Sequence, residues 1–127
     1  MGTRSLTFVY DEGEAIINLY RQYDGYPSGH GRELAEFLSP FTIVNGIGRE
    51  TANIANGMGC LAAQLVAHFK TEVGQFYLHP VTATKCGQDY EYHVHKNRVV
   101  VKNYNGNEVF SGNWELFSKF CGAEELV

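Results

Sequence analysis

What this chain lacks narrows its options before any motif is read. No run of residues approaches the ~20 consecutive apolar positions that carry a helix across a bilayer, so no membrane partner is expected. Basic residues are scarce: ten Lys and Arg stand against fourteen Asp and Glu, for a formal charge of −4. Lys96, Arg98 and Lys102 are the densest basic group, too few to neutralise a run of phosphates, so nucleic acid is not expected as a partner either. The three cysteines, Cys60, Cys86 and Cys121, show no short repeated spacing, which argues against a disulfide framework and a zinc site. The first ten residues lack the apolar stretch of a signal peptide, and Leu6 stands where a myristoylation signal has Ser or Thr. A reducing, cytoplasmic location is the expectation, with no cofactor.

What is present is enough for one core. The 127 residues are 44% hydrophobic and 19% charged, which predicts a single folded domain over 1–127. Thr3 to Tyr10 alternates, with Leu6, Phe8 and Tyr10 on one face; after the turn at 11–14, Ala15 to Tyr23 alternates with Ala15, Ile17 and Leu19 on one face. Together they predict an antiparallel hairpin. By the period of two, Arg21 and Tyr23 continue the row of Ile17 and Leu19. Leu34, Phe37 and Leu38 have helical spacing over Arg32 to Leu38, and Ser39-Pro40 ends that helix. Phe41 to Thr51 reads as irregular. The longest helix signal runs from Asn56 or Gly57 to Lys70, with Leu61, Leu65 and Phe69 as its apolar row. Gln75 to Leu78, Tyr90 to His95, Arg98 to Tyr104 and Glu108 to Phe110 read as strands, with Asn105-Gly106 as a turn. Asn113 to Phe120 predicts a last helix with Trp114, Phe117 and Phe120 on one side. The expected class is α+β: an antiparallel sheet, made of the N-terminal hairpin and a C-terminal meander, with two main helices on one face.

The strand-to-helix connection from Arg21 to Gly31 is unusually rich in chemistry. Arg21 and Arg32 suit bidentate pairing with phosphate or carboxylate. Tyr23 and Tyr26 suit stacking on a base. Asp24 and His30 add hydrogen-bonding groups, and Ser28 is placed to cap the helix. Gly25, Gly29 and Gly31 allow close backbone approach or positive φ. The glycine spacing is neither a P-loop nor a Rossmann fingerprint. Two readings stand side by side: the wall of an anion site, and a tight turn whose polar groups serve the fold.

Asn56-Gly57-Met58-Gly59-Cys60 opens the long helix and invites a second anion nest, with Asn56, Gly57 and Gly59 supplying backbone donors toward the first loop. In the alternative, Cys60 is a thiolate nucleophile favoured by the helix N-terminus, with His93 or His79 as its base and Asn103 or Asn113 orienting the imidazole. The plainer account is a small buried cysteine. His93 and His95 share a strand face and form a two-ligand pair that His79, Glu91 or Asp89 would extend, but no HExxH or CxxC accompanies it; two exposed histidines are the simpler account, and no metal is expected.

Residues 1–7, Met-Gly-Thr-Arg-Ser-Leu-Thr, and 24–31, Asp-Gly-Tyr-Pro-Ser-Gly-His-Gly, resemble a family of small uncharacterised bacteriophage and bacterial proteins, and residues 56–64 are similar too. That resemblance implies a phage-type protein, and by association one that acts on a host system such as a nucleotide immune signal. The leading expectation is a homo-oligomer that binds an anionic, nucleotide-like small molecule without turnover. A cysteine-dependent hydrolase and a protein–protein inhibitor of a host factor are the alternatives.

Overall fold

Strands β1 (Ser5–Asp11) and β2 (Glu14–Arg21) form the expected hairpin, with Ser5 opposite Arg21 and Val9 opposite Ile17. The computed structural model describes residues 2–46, 48 and 53–126, the side chains of 123–126 excepted; Met1 of the opening motif and positions 47 and 49–51 of the irregular run lie outside them. A one-turn π-helix, Pro27–Gly31, leads into α1 (Arg32–Leu38). Two short strands follow, β3 (Thr42–Val44), inside the run expected to be irregular, and β4 (Ile54–Asn56), just beyond it; they pair in parallel. Then come α2 (Gly57–Phe69), β5 (Phe76–His79), β6 (Tyr90–His95), β7 (Arg98–Asn103), β8 (Glu108–Gly112) and α3 (Trp114–Leu126).

The main sheet has the order β5-β2-β1-β6-β7-β8. Every neighbour pair is antiparallel except β1 and β6, which run parallel from Ser5↔Tyr90 to Val9↔Val94. The hairpin and the meander are therefore joined by a parallel seam, which makes the sheet mixed rather than wholly antiparallel. Alternation in a half-buried strand reports which side chains face inward and is blind to the direction of the neighbour.

The core lies between the sheet and the helices. Leu34, Ala35, Phe37 and Leu38 of α1 and Leu61, Ala62, Leu65 and Phe69 of α2 are buried against Val9, Leu19, Tyr92, Val94, Val99 and Val101. Trp114, Phe117 and Cys121 of α3 complete it. Asn113 caps α3, its Oδ1 accepting from the Leu116 amide at 2.8 Å, and Asn103 Oδ1 accepts turn amides of Asn105 and Asn107. Neither Asn orients a histidine.

Leu6, Phe8 and Tyr10 face away from the helices. Leu6 and Phe8 are nonetheless buried, because the connection after β5 folds back over them, whereas Tyr10 is only partly covered. Asn18 anchors it, its Nδ2 donating to the carbonyls of Pro80 (3.1 Å) and Ala83 (2.9 Å). Leu6, Phe8 and Tyr20 form a second small cluster with Cys86 against it. β1 is thus buried on both faces, as a central strand must be. No helix among the described residues is long and apolar enough to cross a membrane.

Candidate functional site

The polar loop of the sequence reading turns inward. Arg21 continues the row of Leu19, as expected, but its side chain is 4% exposed and fully committed. Its Nε donates to the Tyr23 carbonyl (2.6 Å), one terminal nitrogen to His30 Nδ1 (3.2 Å) and the other to Glu33 Oε2 (3.1 Å), while the guanidinium covers the Phe76 ring at 5.0 Å. An Arg can only donate, so His30 Nδ1 must accept. His30 Nε2–H then donates to Thr7 Oγ1 at 2.7 Å. Burial, reinforced by Arg21, pushes the His30 pKa down to about 3, so the ring is neutral.

The glycines of this loop serve the same packing. None of Gly25, Gly29 and Gly31 has positive φ; the left-handed residue is Asp24, at +61°. A Cβ on Gly29 would lie 2.5 Å from the Asp24 carbonyl oxygen and 2.8 Å from the Tyr26 ring. A Cβ on Gly31 would meet Cys121 Sγ at 3.0 Å, where α3 crosses the π-turn, and Tyr92 donates its hydroxyl to the Gly25 carbonyl at 2.7 Å. Ser28 was expected to cap the helix; no side chain does, because the π-turn itself leads the chain into α1. Tyr26 donates to Asp24 Oδ1 (3.2 Å), and Tyr23 and Arg32 lie on the exterior. Gly29→Ala is expected to cost about 1–3 kcal/mol, since backbone must move to admit the methyl. Gly59→Ala, on the open side of α2 with nothing within 4 Å, is expected to gain about 0.5–1 kcal/mol. Urea midpoints of the two variants check the pair.

The two glycine-bearing bends do not converge. Phe69, at the end of α2, packs its ring 5.1 Å from His30, whereas Gly57, at the start, lies beside the β1–β2 turn. The thirteen residues of α2 hold the bends about 18 Å apart. Nor does Cys60 meet a base. Its Sγ donates to Gln64 Oε1 at 3.5 Å on the helical side, while His93 and His79 sit on the opposite face of the sheet. The thiol that does approach a strand histidine is Cys86, 3.9 Å from His79 Nδ1, with the Ala83 carbonyl 3.7 Å away as its acceptor.

A different concavity collects the free polar groups. At the β1–β2 turn end, a cleft of about 510 Å³ lies between Tyr10, the turn Asp11–Gly13, Val44, Gly57, Met58, His95 and Lys96. No side chain caps α2 here, because Asn56 Oδ1 accepts the Gly46 amide at 2.7 Å instead. The Tyr10 ring stacks on His95 at 4.4 Å and 14°. Burial, then His93 and Arg98, hold the His95 pKa below its ordinary value.

A relay runs inward from the cleft wall. The Glu91 carboxylate can only accept, so His93 Nε2–H donates to Glu91 Oε1 at 3.0 Å, and Nδ1 shares a 2.6 Å hydrogen bond with the Tyr10 hydroxyl. Gln88 Nε2 holds the second Glu91 oxygen at 2.9 Å. The hydrogen bond from His93 lowers the Glu91 pKa; burial, then Glu91, raises that of Tyr10. Sequence reading placed His93 and His95 on one face but missed Tyr10, whose role depends on the parallel pairing of β1 with β6. No group of three or more potential metal ligands occurs among the described residues. Comparison with known proteins gives no match: no protein family, no curated protein and no solved structure aligns with this chain.

Proposed function

We propose that this protein binds a small nucleotide-like anion, without consuming it, in the cleft at the β1–β2 turn. The observation that carries the reading is the meeting there of three complementary features: the uncapped start of α2 at Gly57, the ammonium of Lys96, and the stacked Tyr10–His95 pair. An uncapped helix start presents amide hydrogens and partial positive charge to a phosphate. Stacked rings give a base a flat surface. Asp11 and Glu12 on the facing rim repel a bare anion but accept hydrogen bonds from sugar hydroxyls, so the wall charges favour a phosphate joined to a sugar over inorganic phosphate alone. The phage-type resemblance of the opening and loop motifs agrees with a sequestering role, in which a host nucleotide signal is held intact and its free concentration falls.

The test is retention. Purified protein is mixed with cyclic and linear nucleotides, freed of unbound ligand, denatured, and the released material identified. Stoichiometric recovery of intact nucleotide is expected, with Lys96→Glu retaining at least tenfold less. Degraded nucleotide makes the protein an enzyme; no retention removes the reading.

A further inference from the structure

Residues 80–88 form a strap across the sheet face opposite the helices, and side chains alone fasten its middle. Among the described residues its one backbone–backbone bond is internal, from the Ala83 amide to the Pro80 carbonyl at 2.9 Å; the sheet takes over at Asp89, whose amide donates to the Arg4 carbonyl at 2.9 Å. We propose that this strap opens as a unit while the rest of the fold stays intact, with Asn18 as its pin, and that opening delivers the Cys86 thiol to disulfides in solution. Asn18 is fully buried, and its single carboxamide Nδ2 holds both the Pro80 and the Ala83 carbonyls. The other ties are long or lie at the end of the strap. Cys86 Sγ reaches the Ala83 carbonyl and His79 Nδ1 only at 3.7 and 3.9 Å, and Gln88 donates to Glu91 beside the anchor at Asp89. Releasing one side chain therefore frees the middle of the strap.

The closed strap gains little burial. None of its residues is buried, six of the nine are exposed, and half-buried Cys86 packs against the cluster of Leu6, Phe8 and Tyr20. Closure also leaves polar groups unmatched along its underside. Asn18 Oδ1 is buried without a hydrogen-bond partner, and so is Arg4 Nε, whose guanidinium lies so close to Gly87 that a Cβ there would sit 2.9 Å from Nη1. An unmatched buried acceptor and donor oppose the apolar gain, and opening gives both to water. Gly87 itself holds a left-handed backbone, with φ at +73°. Few buried contacts and a single pin mark the least stable unit of a fold, which opens without global unfolding. Once the strap lifts, thiol exchange balances simply. The Cys86 sulfur bonds one sulfur of the disulfide, and the other departs as a thiol with the proton that Cys86 gives up.

The experiment is labelling of the folded protein with dithiodipyridine in urea below the unfolding transition, with the rate at each cysteine read by mass spectrometry. Cys121, fully buried in the core, reports global unfolding, and half-buried Cys60, on α2 away from the strap, is the surface control. Cys86 is expected to react at a rate nearly flat in urea and Cys121 at one that climbs steeply, because lifting the strap exposes little surface. Asn18→Leu keeps the volume and loses the donor; it is expected to speed Cys86 about tenfold or more and leave Cys60 unchanged. Gly87→Ala, strained by its positive φ in the closed strap, is expected to speed Cys86 about five- to thirtyfold. Gly29→Ala, in the π-turn on the helical side, is expected to speed Cys121 and leave Cys86 alone. A Cys86 rate that shares the urea slope of Cys121 and rises with Gly29→Ala overturns the proposal, since only global unfolding then reaches the thiol. A Cys86 rate that neither strap variant moves overturns it too, since the thiol is then reached without opening. Should Asn18→Leu not fold, Gly87→Ala decides by the same readings.

Discussion

Arg21→Met is expected to remove about 3–5 kcal/mol of folding free energy, most of what a domain this size holds in reserve. The methionine fills the volume over Phe76 but supplies no hydrogen. The Tyr23 carbonyl, His30 Nδ1 and Glu33 then lose a donor together. Glu33 is about half exposed and recovers in water. The cost therefore rests chiefly on His30 Nδ1, which is fully buried and cannot, with the Tyr23 carbonyl adding less. Arg21→Lys discriminates charge from shape. One ammonium cannot reach three acceptors in different directions, so lysine is expected to recover less than half of the loss. Chemical denaturation with matched slopes is the measurement. A loss below about 1 kcal/mol for methionine would show that the guanidinium is not what holds this turn.

Stability is expected to fall with acid well before the carboxylates titrate. His30 is an ordinary base in the unfolded chain, near 6.5, and is held at about 3 in the fold. Below the first value the unfolded chain binds a proton that the folded chain refuses. Folding therefore weakens as pH drops through that window, by about 1.4 kcal/mol per pH unit, and is unaffected by this residue above it. His95, also held low, adds a smaller slope of the same sign, and Glu91 adds its own only below the usual carboxylate range. The difference between wild type and His30→Gln isolates the one residue. Glutamine still offers Arg21 a carbonyl and Thr7 an amide, but has no proton to gain. The variant is expected to start less stable at pH 8 and to lose less on the way to pH 5, read as thermal midpoints across the series.

Much of the architecture was legible because it is written in periodicity. The hairpin, the helix over Arg32–Leu38, the long helix from Gly57 and the strand Tyr90–His95 all follow from which positions repeat. The parallel seam was not, since Ser5, Thr7 and Val9 look the same beside either strand direction. The loop after β5 carries no periodic signal, yet it buries Leu6 and Phe8 through the carbonyls held by Asn18. The richest motif was the hardest to interpret. Arg21, Asp24, Tyr26 and His30 are the residue types a ligand site uses, and also the types that knit a tight turn to a sheet. Only three-dimensional partners separate the two, and here the partners are Thr7, Glu33 and Tyr23 of the same chain. The cleft is the reverse case. Its wall joins Tyr10 to His95 and Gly57, three residues that no local pattern connects.

The junction of β1 with β6 governs when this protein can finish folding. Arg4 bonds to Asp89 across 85 positions of sequence, and the ladder beside it links the first strand to one that leaves the ribosome far later. Until Tyr90 to Val94 emerge, the nascent hairpin exposes one unsatisfied flank of backbone donors and acceptors with Thr7 and Val9 uncovered. Closing so long a loop is entropically slow and leaves that flank open to mispairing in the interval. The parallel seam thus closes only after the segment from Tyr90 to Val94 has been made, long after the hairpin it completes.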